Sequence, residues 1–183
     1  MRVTFYLLKA VELRTSLKYW IKRFLDVIVT MEMEISFPQV GINVVAELLE
    51  KQAPKTCKSV WDMLSTPLQN EVVHVRFLGR GITLRNSIHD KMNKVPKENL
   101  TVTPQVGEIL LVDFTEETGR SRGYYGDYAG FDLFYGPDSR MFIPMGWFPG
   151  NLFARVTKNL EGLAKVAEAT ILEGTKKVEF RRR

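Results

Sequence analysis

The sequence feature that most constrains the fold is a series of short runs in which apolar and polar residues alternate, separated by glycine and proline. In the first run, Met33, Ile35 and Phe37 alternate with polar residues, and the run ends at Pro38. Such alternation is typical of a β-strand that buries one face. Residues 39–41 then predict a hairpin into the next run. Many short strands with turn residues between them predict a mainly β domain, either a barrel or a sandwich.

The other periodic segments add further strands and two helices to this prediction. Pro54 suits the first turn of a helix because that position needs no amide donor, and we predict a helix over residues 54–64. A second, shorter helix is predicted over residues 159–166, and the polar stretch 86–105 is predicted to be mostly loop. The strands predicted after the first cover residues 42–49, 72–78, 82–84, 109–114, 131–135, 152–158, 169–173 and 177–181.

The first thirty residues differ from the rest in pattern and in charge. Apolar residues recur there at three- and four-residue steps, as in an amphipathic helix, but no run reaches the roughly 18 apolar residues of a transmembrane segment. We therefore predict a helical extension over residues 1–30 and one domain over residues 31–183. Three interpretations of the extension stay open: a helix packed on the domain, a helix on a membrane surface or a partner, or a start assigned too early, with Met31 as the true first residue.

Charge and composition narrow the classes of function. The net charge of +5 comes mostly from residues 1–30, and the nearly neutral remainder argues against a nucleic-acid binder. Cys57 is the only cysteine, which excludes an internal disulfide and favours a reducing, cytoplasmic location. We expect its thiol to be buried rather than catalytic. The only two histidines, His74 and His89, lack the spacing of a metal site, so we expect no metal and no cofactor.

Several short motifs, in the right order, resemble those of the cyclophilins. Ala-Pro-Lys-Thr at residues 53–56 follows a strand and enters a helix, and Trp-Phe-Pro-Gly at 147–150 precedes Phe-Ala-Arg-Val at 153–156. The pairing of Glu-Asn-Leu-Thr at 98–101 with the Gly-Glu-Ile-Leu that ends at Leu110 is similar to a group of uncharacterised bacterial and archaeal cyclophilin-like proteins. The resemblance implies a closed β-barrel with two capping helices, without a settled reaction.

The resemblance also indicates where a site would lie. Cyclophilins place an arginine on the strand after the first helix, where it donates toward the proline nitrogen of a twisted X–Pro bond and weakens its conjugation. The nearest equivalent here is Arg76, which is the candidate catalytic residue. The methionine and glutamine that follow this arginine in cyclophilins are missing, and Asp132 replaces an amide. These departures favour a pocket for a small polar or anionic ligand on the barrel face over a weak prolyl isomerase that uses Arg76. We expect the pocket to be lined by His74, Arg76, Asp132, Phe134, Tyr135, Trp147 and Asn151.

The expected partner is thus a small molecule or a short peptide, and not a nucleic acid. The loop 119–128 interleaves arginine, glycine and tyrosine as single-strand RNA binders do. Its position next to the expected pocket favours a lid over a ligand, or a plain loop, instead of an RNA contact. The oligomeric state stays open, with a homo-oligomer among the alternatives, and so does the question of whether any reaction is catalysed.

Overall fold

A computed structural model describes residues 30–114, 128–144 and 146–183 of the chain. The predicted N-terminal helix and most of the loop 119–128 lie outside the described residues. The described residues from Met31 onward belong to one unit. Neither of its helices is both long enough and apolar enough to cross a membrane.

The described part contains eleven strands and two α-helices, with a short 3₁₀ helix after β3 and another before β5. In chain order the elements are β1 (Glu32–Phe37), β2 (Ile42–Leu48), α1 (Pro54–Met63), β3 (Leu68–His74), a 3₁₀ helix (Arg76–Leu78), β4 (Gly81–Leu84), a 3₁₀ helix (His89–Lys91), β5 (Leu100–Thr101), β6 (Glu108–Phe114), β7 (Tyr128–Phe134), β8 (Phe142–Ile143), β9 (Gly146–Trp147), β10 (Gly150–Lys158), α2 (Leu160–Glu173) and β11 (Lys176–Arg182).

Eight of the strands close into an antiparallel barrel. Their order is β2-β1-β11-β3-β4-β7-β6-β10, and β10 pairs back onto β2, where Ala154 lies opposite Leu48. The short β5 pairs with the start of β10, and β8 and β9 form a separate two-stranded sheet. Closure leaves no unpaired edge on the barrel strands, so the backbone groups of the ladder are satisfied around the whole circumference.

The barrel interior is filled by the inward-facing residues of each strand. In β1 the exposure alternates strictly, with Met33, Ile35 and Phe37 fully buried, which confirms the predicted strand. The ring centroids of Phe131 and Phe153 are 5.0 Å apart, and the two ring planes are tilted relative to each other. Such aromatic pairs contribute large apolar area as well as a favourable ring geometry.

Two helices cover the barrel. Helix α1 begins at Pro54, as predicted, and packs against β10. Helix α2 packs against β2 and β3, and its first turn is capped by Asn159, whose side chain accepts a hydrogen bond from the Gly162 amide at 3.1 Å. A side chain that satisfies a free amide of the first turn is the usual means of starting a helix.

Two predicted strands are wrong in the structure. Strand β3 runs from Leu68 to His74 rather than over residues 72–78, because residues 76–78 form a 3₁₀ helix. That helix ends at Gly79, whose φ is +85°. Residues 169–173 continue α2 instead of forming a strand. The buried residues of α2 lie at steps of three and four, which is the period of a helix packed on one side, and they are Leu163, Val166, Ala167 and Thr170.

We predict that the packing of α2 on the barrel is a large part of the stability of the domain. Leu163 is fully buried and Leu172 is 91% exposed on the same helix. Leu163→Ala should lower the free energy of unfolding by about 2–5 kcal/mol because it leaves a cavity. Leu172→Ala, the matched control, should change it by less than about 0.5 kcal/mol. Urea unfolding of both variants tests this, and equal effects would contradict the assignment of the buried face.

Candidate functional site

The outer face of β6 and β7 carries a second hydrophobic cluster, separate from the barrel core. Alternate residues of these strands, including Val112, Phe114 and Phe134, point away from the barrel interior and are nevertheless buried. They are covered by Leu78 of the first 3₁₀ helix and by side chains from residues 141–148. Both faces of β6 and β7 are therefore packed against apolar side chains.

Backbone hydrogen bonds hold the covering segments on this face. The amide of Arg140 donates to the carbonyl of Leu78 at 2.9 Å, and the amide of Met141 donates to the carbonyl of Val102 at 2.8 Å. Gly79 permits the close approach, since a Cβ there would lie only 2.6 Å from the carbonyl oxygen of Asp138. A residue with a side chain at this position would also be strained by the positive φ.

A cavity of about 260 Å³ lies between the outer face and these covering segments. Its wall is mostly apolar, and the polar exceptions are Thr83, Arg85, Tyr128 and Asp132. The apolar lining residues are Val73, Val75, Phe77, Leu78, Leu84, Val112, Phe114, Met141 and Ile143.

Asp132 is the only carboxylate among the described residues that line this cavity. It stands in the middle of β7, opposite Thr83 on one side and Leu110 on the other, and only 4% of its surface is exposed. Burial raises the pKa of Asp132 to about 7, and a hydrogen bond from the Thr83 hydroxyl acts in the opposite direction. Removing a carboxylate from water favours its protonated form, so Asp132 titrates near neutral pH.

A short chain of hydroxyl groups runs beside Asp132. The hydroxyl of Tyr128 donates to the carbonyl of Leu84 at 2.6 Å, and the hydroxyl of Thr83 lies 3.3 Å from the Tyr128 oxygen. The Tyr128 side chain folds along its own strand over Gly130, where a Cβ would come within 2.8 Å of the ring carbon Cζ. The glycine thus makes room for the tyrosine.

His74 and Tyr135 form a separate pair at another opening. The Nε2 atom of His74 lies 2.9 Å from the Tyr135 hydroxyl, and the rings meet edge to face. A cavity of about 440 Å³ there is bordered also by Arg80 and by Glu168 of α2. Burial and the nearby Arg76 charge lower the pKa of His74, and burial raises that of Tyr135. His74 therefore favours its neutral form at this opening.

The two remaining residues predicted on this side of the barrel lie on neighbouring segments. Arg76 is exposed at the start of the first 3₁₀ helix, which packs against β8. Trp147 lies on β9, paired with β8; it is 53% exposed, and its ring meets that of Phe142 edge to face at 5.1 Å. Neither residue lines the cavity that contains Asp132, and Phe134 contributes to the cluster beneath it.

Asn151 lies elsewhere and is used internally. Its side-chain amide donates to the Thr56 hydroxyl at 3.0 Å and to the carbonyl of Pro96 at 2.8 Å, and its oxygen accepts from the amide of Glu98. These bonds tie the loop before β5 to α1 and β10. A ligand contact by Asn151 stays a prediction.

Cys57 is fully buried, as expected for its small apolar thiol. Its Sγ atom lies 3.4 Å from the carbonyl oxygen of Phe153, and burial is the main cause that raises the thiol pKa to about 12. Such a thiol is not a nucleophile at neutral pH. Among the described residues, no cluster of three or more histidine, cysteine, aspartate or glutamate side chains could hold a metal ion.

Sequence reasoning placed Asp132 in a pocket but missed Thr83, Tyr128 and the apolar wall around them. One local signal was present: β6 and β7 are apolar at consecutive positions rather than at alternate ones, which is typical of a strand buried on both faces. Such a strand requires a second layer outside the barrel. The sequence gives no comparable signal for which segment forms that layer.

Comparisons with known proteins agree with this architecture. A family model described as "Protein of unknown function (DUF3830)" matches residues 35–182. A solved structure of McbB in complex with tryptophan is similar, with a TM-score of 0.57 and 16% identity over 82% of this chain, although the chain spans only 44% of McbB. A cyclophilin-type peptidyl-prolyl cis-trans isomerase from Cryptosporidium parvum gives a TM-score of 0.49 and 12% identity over 84% of this chain and 98% of that one. No curated protein matches.

We predict that Gly130 is required for the position of Tyr128. Gly130→Ala should destabilise the domain by about 1–3 kcal/mol, because the new methyl group would displace the tyrosine ring. Urea unfolding of Gly130→Ala in the wild type and in a Tyr128→Ala background measures the coupling. The cost should largely disappear when the ring is absent, and an unchanged cost would show that the ring is not the obstacle.

We predict a second effect, in the pH dependence of stability. Asp132 has an ordinary pKa when unfolded and a pKa of about 7 when folded, so the native state holds a proton that the unfolded state loses. The free energy of unfolding should therefore fall as the pH rises from about 4 to 7 and level off above that. Asp132→Asn should remove this slope. Identical pH profiles for the two proteins, measured by urea unfolding, would contradict the titration of Asp132.

Proposed function

Since the chain belongs to the DUF3830 family of proteins of unknown function and has a cyclophilin-like barrel, we propose that it binds a small molecule in the cavity on the outer face of β6 and β7. The observation that carries this proposal is Asp132, a buried carboxyl group on the wall of an otherwise mostly apolar cavity. The description of the family names no reaction, so the proposal depends on the site.

The shape and chemistry of the cavity support a ligand. The space of about 260 Å³ is partly open to solvent and has room for a small molecule beside the hydrophobic cluster. Binding sites for small molecules are concave and mostly apolar, with a few polar groups that fix orientation. The cavity is at the small end of such sites. It fits a molecule with a compact apolar body and one polar group.

The polar groups are concentrated at one side of the cavity. Thr83 and Asp132 are paired across β4 and β7, and the Tyr128 hydroxyl is next to Thr83. The covering segment contributes the apolar side chains of Met141 and Ile143. A bound molecule would therefore direct its polar end toward β7. The 3₁₀ helix that contributes Phe77 and Leu78 would contact its apolar end.

We expect ligand binding to raise the melting temperature, and a thermal-shift screen with small amines, amides, carboxylates and tryptophan tests this. Tryptophan is included because the similar McbB structure contains it. At least one probe should stabilise the wild type, since binding to the native state alone shifts unfolding. Val73→Phe, which fills the cavity, should abolish the shift.

The matched control for this screen is Val40→Phe, the same substitution at an exposed position in the β1–β2 hairpin that does not line the cavity. It should keep the wild-type response. Two results would overturn the proposal: no probe stabilises the wild type, or Val73→Phe responds as Val40→Phe does. Cooperative melting of each variant on its own shows that it is folded.

The alternative function, a weak prolyl isomerase, depends on Arg76. This residue is exposed and does not line the cavity, so the geometry gives the alternative no added support. A protease-coupled assay on proline peptides separates the two functions. Isomerase-level turnover that is lost in Arg76→Ala would replace the binding proposal with the enzymatic one.

A further inference from the structure

The charge of the cavity points to the class of ligand. We propose that the ligand carries a protonated amine, whose ammonium group pairs with Asp132. This inference rests on the proposed function, because it names what the same cavity binds.

Asp132 has no counter-ion among the described residues. Asp132 takes part in none of the ion pairs found among them. Arg85 is the only cationic residue on the described cavity wall, and its guanidinium already binds the carboxylate of Glu71 at 3.0 Å, with more than half of its side chain in solvent. Burial of the ionised carboxylate without a cation is costly, which favours the protonated form of Asp132, and a ligand cation would stabilise the ionised form.

The hydroxyl groups of Thr83 and Tyr128 have too few protons for all of their contacts when Asp132 is ionised. Tyr128 gives its single proton to the carbonyl of Leu84, so the contact between Thr83 and Tyr128 requires the proton of Thr83. The same Thr83 proton is needed for its hydrogen bond to ionised Asp132. One proton cannot serve both contacts. When Asp132 is protonated, it donates to Thr83, Thr83 donates to Tyr128 and Tyr128 donates to Leu84, so each of these three contacts has its proton.

Without a bound cation, Asp132 therefore favours its neutral form. Binding of an amine shifts Asp132 to its ionised form. In that form Thr83 donates to one carboxylate oxygen and the ammonium group donates to the carboxylate as well. The proton leaves Asp132 for solvent, so one proton is released for each amine that binds below the pKa of Asp132. An anionic ligand would meet an acidic residue with no free cation on the described wall, and it should bind most weakly.

Three probes with the same ring test this order: 2-phenylethylamine, phenylacetamide and phenylacetate. We expect the amine to bind most tightly to the wild type by calorimetric titration at pH 8, at least about tenfold tighter than the acid. Binding of none of the three, together with a negative screen, overturns the proposed function and this inference with it. Binding led by phenylacetate overturns the inference alone and leaves the cavity as a ligand site.

The pH dependence provides a second measurement. Because the amine stays protonated below about pH 9, its affinity should rise about tenfold between pH 6 and pH 8 as Asp132 ionises. Tyr128 and Arg85 are the other titratable groups on the described wall, and Arg85 is paired with Glu71. Asp132→Asn should lose both the pH dependence and the preference for the amine.

A second pair of variants keeps the inference testable if Asp132→Asn does not fold. Thr83→Val removes the hydroxyl that stabilises ionised Asp132, so the rise in amine affinity should move to higher pH, whereas Thr83→Ser should keep the wild-type profile. An amine affinity that is independent of pH in the wild type, or unchanged in Asp132→Asn, would overturn the inference.

Discussion

The antiparallel pairing of β10 with β2 is the constraint on which the rest of the structure depends. It closes the barrel of eight strands, so the inward-facing residues pack together in the barrel core. The outward-facing residues are then free to differ from strand to strand. On β1 they are polar, whereas on β6 and β7 most of them are apolar and need a second covering layer. The candidate site arises from that difference.

The second layer is assembled from segments distant in sequence. Residues 75–80 and 136–144 meet over β7 through backbone hydrogen bonds, and the cavity lies beneath them. Apolar side chains supply the attraction that holds them, at roughly 25 cal/mol for each Å² removed from water. Asp132 is the exception in this layer. The burial of this carboxyl group in an apolar layer is the reason for proposing a ligand there.

Much of the fold could be predicted from the sequence because its signals are local. The alternation in β1, the proline that starts α1 and the motifs that resemble cyclophilins all predicted a barrel. The closed β-barrel and the uncharacterised family are confirmed. Helix α2 extends beyond the predicted residues 159–166. The apolar Ile171 and Leu172 near its end favour a strand by composition, although both are exposed in the helix.

The site was predicted less well, and the parity of a strand explains part of this. Asp132 and Phe134 lie two residues apart on β7 and share its outer face, whereas Tyr135 has the opposite parity and packs with the barrel core near His74. One pocket could not contain all of them. Which loop covers Asp132 is a matter of long-range contacts, for which a single sequence carries no local signal.

The sharing of β7 between two hydrophobic layers has a consequence for how such a protein could diversify. Substitutions on β7 affect the barrel and the cavity at once, so selection for a new ligand there is limited by the need to keep the fold. Among the described residues of the segment 141–144 and 146–148, those that belong to a hydrophobic cluster belong to the outer layer. Relatives adapted to other molecules should therefore differ most in that segment, while the strand beneath it changes little.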